Sequence, residues 1–289
     1  MKPLNIFKYF KKAQKEKWAI GQFNFSTIEQ AKGIIEAANK LRSPVILGTS
    51  EGESAFIGIP QAVALIKIWQ TKNNFPVFLN LDHGKSFEYT KRAIDNGYDS
   101  VHFDGSRLYL KENIKITKKI TEYAHKRNLL VEGEVGIISG LSKILNRMPK
   151  ISNKDLTNPE DAYNFIKKTG VDSLAINIGT FHGVNASGKN PHINFQRLEE
   201  IKKKVKNKFL VLHGGSGVSN KDIKKAIKLG IVKININTEL RIAYTNTLRN
   251  VFKDSPKEIT PYKYMPKAID AVQKVIEEKM KLLGSVNKI

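Results

Sequence analysis

Short, nearly continuous apolar runs alternate along this chain with longer stretches in which apolar positions recur every three or four residues. The first kind reads as strands buried on both faces, the second as amphipathic helices. Trp18–Phe25 opens the series, and Ser26-Thr27-Ile28-Glu29 has the spacing of a capping box that starts a helix to about Leu41. Strands follow at Pro44–Ser50, Pro76–His83, Ser100–Gly105, Leu129–Gly136, Ser173–Gly179, Phe209–His213 and Ile231–Asn237. Helices fall at Gln61–Trp69, Phe87–Asp95, Glu112–Arg127, Pro159–Thr169, Phe195–Val205, Lys221–Leu229 and Glu239–Phe252. Eight strand–helix units in series predict an α/β fold, a closed (β/α)8 TIM barrel forming one catalytic domain over residues 1–289. An extra C-terminal helical segment, about 256–289 with its helix from about Pro266 to Leu283, is expected outside the barrel or at a subunit contact.

In such a barrel the C-terminal tips of the strands share one rim. Here the tips carry Ser50, Asp82 and His83, Asp104, Glu134, Gly179 followed by His182, His213, and Asn235 with Asn237. Three rim histidines, His83, His182 and His213, with a coordination position left open, are the donor set of a catalytic zinc. Of the other histidines, His102 inside the fourth strand reads as a core or supporting residue and His125 as surface, while His192 has no assigned role. Asp82 directly precedes His83, and strict alternation would send them to opposite faces unless the strand ends there, as Gly84 suggests. Gly214-Gly215-Ser216-Gly217 after the seventh strand and Asn235-Ile236-Asn237-Thr238 after the eighth lie where barrels of this kind hold phosphate, beside backbone N–H groups at a helix start. Two long connections, Ile137–Asn158 and Thr180–Asn194, are expected to lie over the same face.

Composition narrows the chemistry further. The chain has no cysteine, which excludes disulfides and thiolate metal sites and makes the cytoplasm the natural compartment. No run approaches the length of a membrane span, and the first residues lack the apolar core of a signal peptide. The formal charge of +22 would suit a polyanion partner, yet the lysines are scattered over helical stretches such as Lys111–Lys126 and Lys221–Lys228. That distribution reads as a solvated surface, so neither nucleic acid nor membrane is expected as a partner.

Taken in order, LNLDHG, VHFDGS, VEGEVG, INIGTFHG, VLHGGSG and KININTE resemble the successive strand-end motifs of the class II, metal-dependent fructose-bisphosphate and tagatose-bisphosphate aldolases. The resemblance covers essentially residues 1–285 and implies a zinc-dependent lyase of carbohydrate metabolism, in glycolysis when the substrate is fructose 1,6-bisphosphate. It makes His83, His182 and His213 the zinc ligands, with Glu134 and Asp104 as secondary carboxylates near the metal, and Asp82 the group that moves the proton at the C4 oxygen. It assigns Gly183, Gly214, Gly215, Ser216, Asn235, Ile236, Asn237 and Thr238 to dihydroxyacetone phosphate, and Ser50 to a weaker substrate contact. It further implies a homo-oligomer, a dimer or tetramer, with a monovalent cation as an optional companion to zinc.

Two departures from the family pattern bear on function. Ser142 stands where the family has a glutamate that handles a proton on dihydroxyacetone phosphate, and Asp155 and Glu160 are the nearest later acids. Near the C-terminus, Thr260-Pro261-Tyr262-Lys263 replaces an Asp-Pro-Arg whose arginine helps hold the second phosphate, leaving Lys263 as the substitute charge. Beside fructose bisphosphate, two alternatives therefore stand: tagatose bisphosphate or another phosphorylated ketose, and a zinc- and phosphate-binding homologue with weakened catalysis.

Overall fold

Val, Ile, Leu and Phe dominate the apolar runs, side chains that suit a pleated surface packed on both faces. The computed structural model describes residues 4–187 and 190–289, so positions 188 and 189 of the 180–194 connection lie outside it. The strands are β1 (Ile20–Asn24), β2 (Val45–Thr49), β3 (Val77–Gly84), β4 (Ser100–Phe103), β5 (Leu130–Val135), β6 (Gly140–Leu145), β7 (Ser173–Ile176), β8 (His182–Asn185), β9 (Phe209–Leu212) and β10 (Ile231–Ile236). Eight of them close a barrel in the order β1-β10-β9-β7-β5-β4-β3-β2, every neighbouring pair parallel. The expected (β/α)8 architecture is therefore what the chain adopts.

The helices are α1 (Ile6–Glu16), α2 (Ile28–Lys40), α3 (Glu51–Ile57), α4 (Ile59–Asn73), α5 (Phe87–Asn96), α6 (Leu110–His125), α7 (Pro159–Thr169), α8 (Phe195–Val205), α9 (Asn220–Lys228), α10 (Thr238–Asp254) and α11 (Pro261–Leu283). The cap of α2 is Thr27, whose side chain accepts from the Gln30 N–H, so the capping residue is one position later than Ser26. α1 was not expected. It presents Ile6, Tyr9, Phe10 and Ala13 on one face and plugs the bottom of the barrel against Trp18, Ile20, Phe78, Leu130 and Val232. α11 starts at Pro261 and holds Pro266 inside it. It lies on α2, where Gly33 permits the approach: a Cβ there would come within 2.9 Å of the Ile269 carbonyl oxygen.

The two connections expected as loops each contain a short strand. β6 and β8 pair in parallel as a separate two-stranded sheet, with Gly140 opposite His182 and Ile144 opposite Val184. Their mixed sequences carry no apolar run, because a two-stranded flap at the rim is not packed on both faces. Among the described residues, no helix is long and apolar enough to cross a membrane.

Candidate active site

The barrel rim is shaped first by the end of β3. His83 has φ 54, a left-handed conformation, and the register of β3 against β4 shifts between Leu81 and Gly84. This local break in alternation lets both Asp82 and His83 line one cavity. A left-handed non-glycine residue costs roughly 1–2 kcal/mol. The cost is offset locally, because the His83 N–H donates to Nδ1 of His102 across the bulge at 3.2 Å.

Carboxylates set the orientation of two rim imidazoles. Nδ1 of His83 lies 3.0 Å from Asp104 Oδ2, and Nε2 of His213 lies 2.8 Å from Glu132 Oε1. With those nitrogens donating, His83 Nε2 and His213 Nδ1 are left as acceptors, and they meet at 3.0 Å. Two imidazole lone pairs cannot meet so closely without a proton or a metal cation between them. The separation is near the roughly 3.3 Å expected between two nitrogens on one tetrahedral zinc with bonds of about 2.0–2.1 Å. His182 stands beside His83, ring centroids 4.8 Å apart, and 6.0 Å from the His213 ring. Burial first, then His83 and His213, hold its imidazole well below the usual range, so it is a neutral donor.

The tight donor clusters differ from the sequence expectation. One joins Asp82, His83, His102 and His213, the other His83, Asp104 and Glu134, and His182 belongs to neither. His102 is thus part of the centre, fully buried between the His83 and His213 rings. Its Nε2 approaches Glu134 Oε2 to 3.3 Å, yet both atoms, with Oδ1 of Asn235, are buried without a hydrogen-bond partner. Since Nδ1 of His102 accepts from the His83 N–H, its Nε2 carries the ring proton; the orphaned oxygens of Glu134 and Asn235 beside the converging imidazoles fit a metal ion.

Asp82 is buried and held from two sides, accepting at Oδ2 from Asn24 (2.9 Å) and at Oδ1 from Asn235 (3.0 Å). Burial pushes its acidity down, but His83, then His102 and His213, outweigh that and keep its carboxyl well below the usual range. It is held as a carboxylate, and the two amides fix the direction of its oxygens. Below the rim, Glu132 bridges His213 and Lys233, whose Nζ is 2.7 Å from Oε2 inside the barrel. Lys233 first and His213 next hold Glu132 below its ordinary range despite burial.

The cavity above these groups has a volume of ≈ 230 Å³. Of the expected substrate contacts, Ser50, Gly183, Gly214, Ser216, Asn235, Asn237 and Thr238 line it, whereas Gly215 and Ile236 stand behind the lining. Gly214 has φ 67, and any side chain there would strike the Phe181 carbonyl, so the loop must be glycine to pass that close. Thr238 begins α10, whose N-terminal end offers partial positive charge toward the cavity.

Asn24, Arg241 and Glu53 were not anticipated. Asn24 at the tip of β1 and Arg241 one turn into α10 line the cavity, and Ser142 of β6 reaches it across the flap. Arg241 donates to the Ser142 carbonyl at 3.2 Å and to Glu53 Oε1 at 2.6 Å. Glu53 is the glutamate of a capping box with Ser50 at the head of α3. The charged pair Glu132 and Lys233 had a sequence signal, since each puts a charge inside a strand buried along its whole length. The other expected substitutes lie elsewhere: Lys263 pairs loosely with Glu258 at 3.8 Å, Asp155 accepts from Ser152, and Glu160 is bound to Lys204 on the surface.

Solved structures share this arrangement of the chain. The YdjI aldolase from Escherichia coli K12 is 31% identical, with a TM-score of 0.83 and 99% of each chain covered. The fructose-bisphosphate aldolase of Campylobacter jejuni, 23% identical, has the same fold at a TM-score of 0.82 over 98% of this chain and 95% of its own. The family model described as fructose-bisphosphate aldolase class-II matches residues 4–288, nearly the whole length, and the chain accordingly belongs to the class II aldolases, a family of lyases.

Proposed function

We propose that the protein catalyses zinc-dependent, reversible aldol cleavage of a phosphorylated ketose, releasing dihydroxyacetone phosphate. Fructose 1,6-bisphosphate is the substrate that the sequence motifs favour, with tagatose bisphosphate second. The observation that carries the reading is the 3.0 Å meeting of His83 Nε2 and His213 Nδ1, each ring oriented by its own carboxylate, directly beside Asp82. Carboxylate-oriented imidazoles are what a catalytic metal site requires.

His83, His213 and the adjacent His182 would hold the ion, with Glu134 and Asp104 close to His83. Bound there, zinc supplies Lewis-acid polarisation of the ketone and a counter-charge for the electron pair released when C3–C4 breaks. Asp82 accepts the C4 hydroxyl proton as that oxygen becomes the aldehyde carbonyl, and Asn24 and Asn235 fix its two oxygens for the transfer. The Gly214–Ser216 loop and the start of α10 bind the phosphate through backbone N–H groups. Among the described residues no lysine lines the cavity, in keeping with a route that needs no Schiff base.

The test is cleavage of fructose 1,6-bisphosphate and its tagatose epimer by the purified protein, with metal removed by a chelator and then restored as zinc. Activity should vanish and return. His213→Ala should lose metal and turnover together, whereas Asp82→Asn should keep the metal and lose about 10²–10⁴-fold in kcat. Full activity after complete metal removal, or in His213→Ala, would sink the assignment.

A further inference from the structure

The far end of the cavity is built around a charge that has already been cancelled. The phosphate-binding backbone lies after β9 and at the start of α10, while Arg241 reaches past β1 to the head of α3, beside Ser50. Among the described residues, Arg241 is the one lining residue with a permanent positive charge. Its guanidinium is engaged at 2.6 Å by Glu53, a side chain only 6% exposed. Glu53 cannot readily swing away. It also accepts from the Ser50 N–H at 2.8 Å, from Asn24 Nδ2 at 2.9 Å and from Asn237 Nδ2 at 3.4 Å, and its backbone is fixed as the third residue of α3.

The same Asn24 amide donates to Asp82, so two carboxylates already share one side chain at this end. A phosphate dianion placed against Arg241 would meet Glu53 at close range and a second carboxylate behind it. Like charges so juxtaposed in a partly dry pocket strongly disfavour binding. No other cation compensates among the described lining residues, since Lys263 is outside the cavity. A guanidinium paired on one edge still offers N–H donors, and with Ser50 and Ser142 it suits hydroxyl groups.

We infer that Glu53 makes this enzyme selective for a ketose 1-phosphate whose aldehyde-forming half is an uncharged polyhydroxy chain. This rests on the aldolase reading and narrows its substrate class away from bisphosphates. Glu53 acts through Arg241 and is a specificity-determining residue rather than a catalytic one.

The experiment compares fructose 1-phosphate with fructose 1,6-bisphosphate on the zinc-loaded full chain, by calorimetric binding and by kcat/KM for cleavage. The wild type should bind the monophosphate at least as tightly as the bisphosphate. Glu53→Gln keeps the shape and one of the two accepting oxygens while removing the charge, and should shift the affinity ratio toward the bisphosphate by roughly 10- to 100-fold. A wild type that binds the bisphosphate more than tenfold tighter, an unchanged ratio in Glu53→Gln, or failure of both sugars to bind would each overturn the inference. A role confined to capping α3 would lower the melting temperature of Glu53→Gln and leave the ratio where it was. Absence of cleavage with the predicted binding ratio intact would count against the aldolase reading alone.

Discussion

Lys233 is a buried cation whose removal the structure makes costly. It is 1% exposed on β10 and its ammonium lies 2.7 Å from Glu132, a carboxylate equally buried on β5 that also holds His213. Lys233→Met keeps the length and apolar bulk of the side chain but leaves Glu132 with only imidazoles to compensate its charge, His213 at 2.8 Å and His102 at 3.9 Å. Removing one member of a buried pair costs about 3–5 kcal/mol, because the remaining charge stays desolvated. At about 2–4 °C per kcal/mol for a domain approaching this size, the melting temperature should fall by roughly 10 °C. The measurement is calorimetric or urea unfolding of the metal-free protein, since bound metal would add its own stabilisation. Adding Glu132→Gln to Lys233→Met should recover a large part of the loss, as the uncompensated charge is then gone. The same double variant should bind zinc about 10–100-fold more weakly, because His213 loses the carboxylate that orients it. A single variant within about 1 kcal/mol of wild type, or a double variant no more stable than the single, would refute the account.

Two further outcomes are expected. Ser142→Glu restores a carboxylate on the β6 flap where the family has one, and should raise the cleavage rate by up to roughly 10²-fold; an active enzyme that gains nothing would show that the proton transfer is served elsewhere. Tyr98 is buried and bonded to Thr49 at 2.7 Å, and burial pushes its phenol up to about 12 from 10.0. A folded-state value above the unfolded one gives stability that is complete below about pH 10 and lost as pH rises toward about 12. Tyr98→Phe should therefore be less stable near neutrality by about 1 kcal/mol for the lost hydrogen bond, yet lose less between those limits; alkaline unfolding curves of the same steepness for both proteins would contradict this.

The sequence by itself determined the barrel and most of its rim. Apolar runs that pack on both faces, separated by amphipathic helical stretches, admit few arrangements other than a closed parallel sheet, and closure brings distant strand tips together. That is why Asp82, His83, His182 and His213 could be placed on one face without coordinates. Tertiary structure decided what depends on contacts across the barrel. His102 looked like core because its strand is apolar, and only the bulge opposite it brings its ring between His83 and His213. Neither Glu53 nor Arg241 had a role that the sequence pattern marked; their meeting at 2.6 Å follows from α3 and α10 flanking β1. The β6–β8 flap has no apolar signature, since its two strands pair with each other at the rim and not within the barrel wall. Backbone periodicity is a local property and is written in the residues; side-chain convergence at a rim is set by register and bulges, which the chain acquires only on closing.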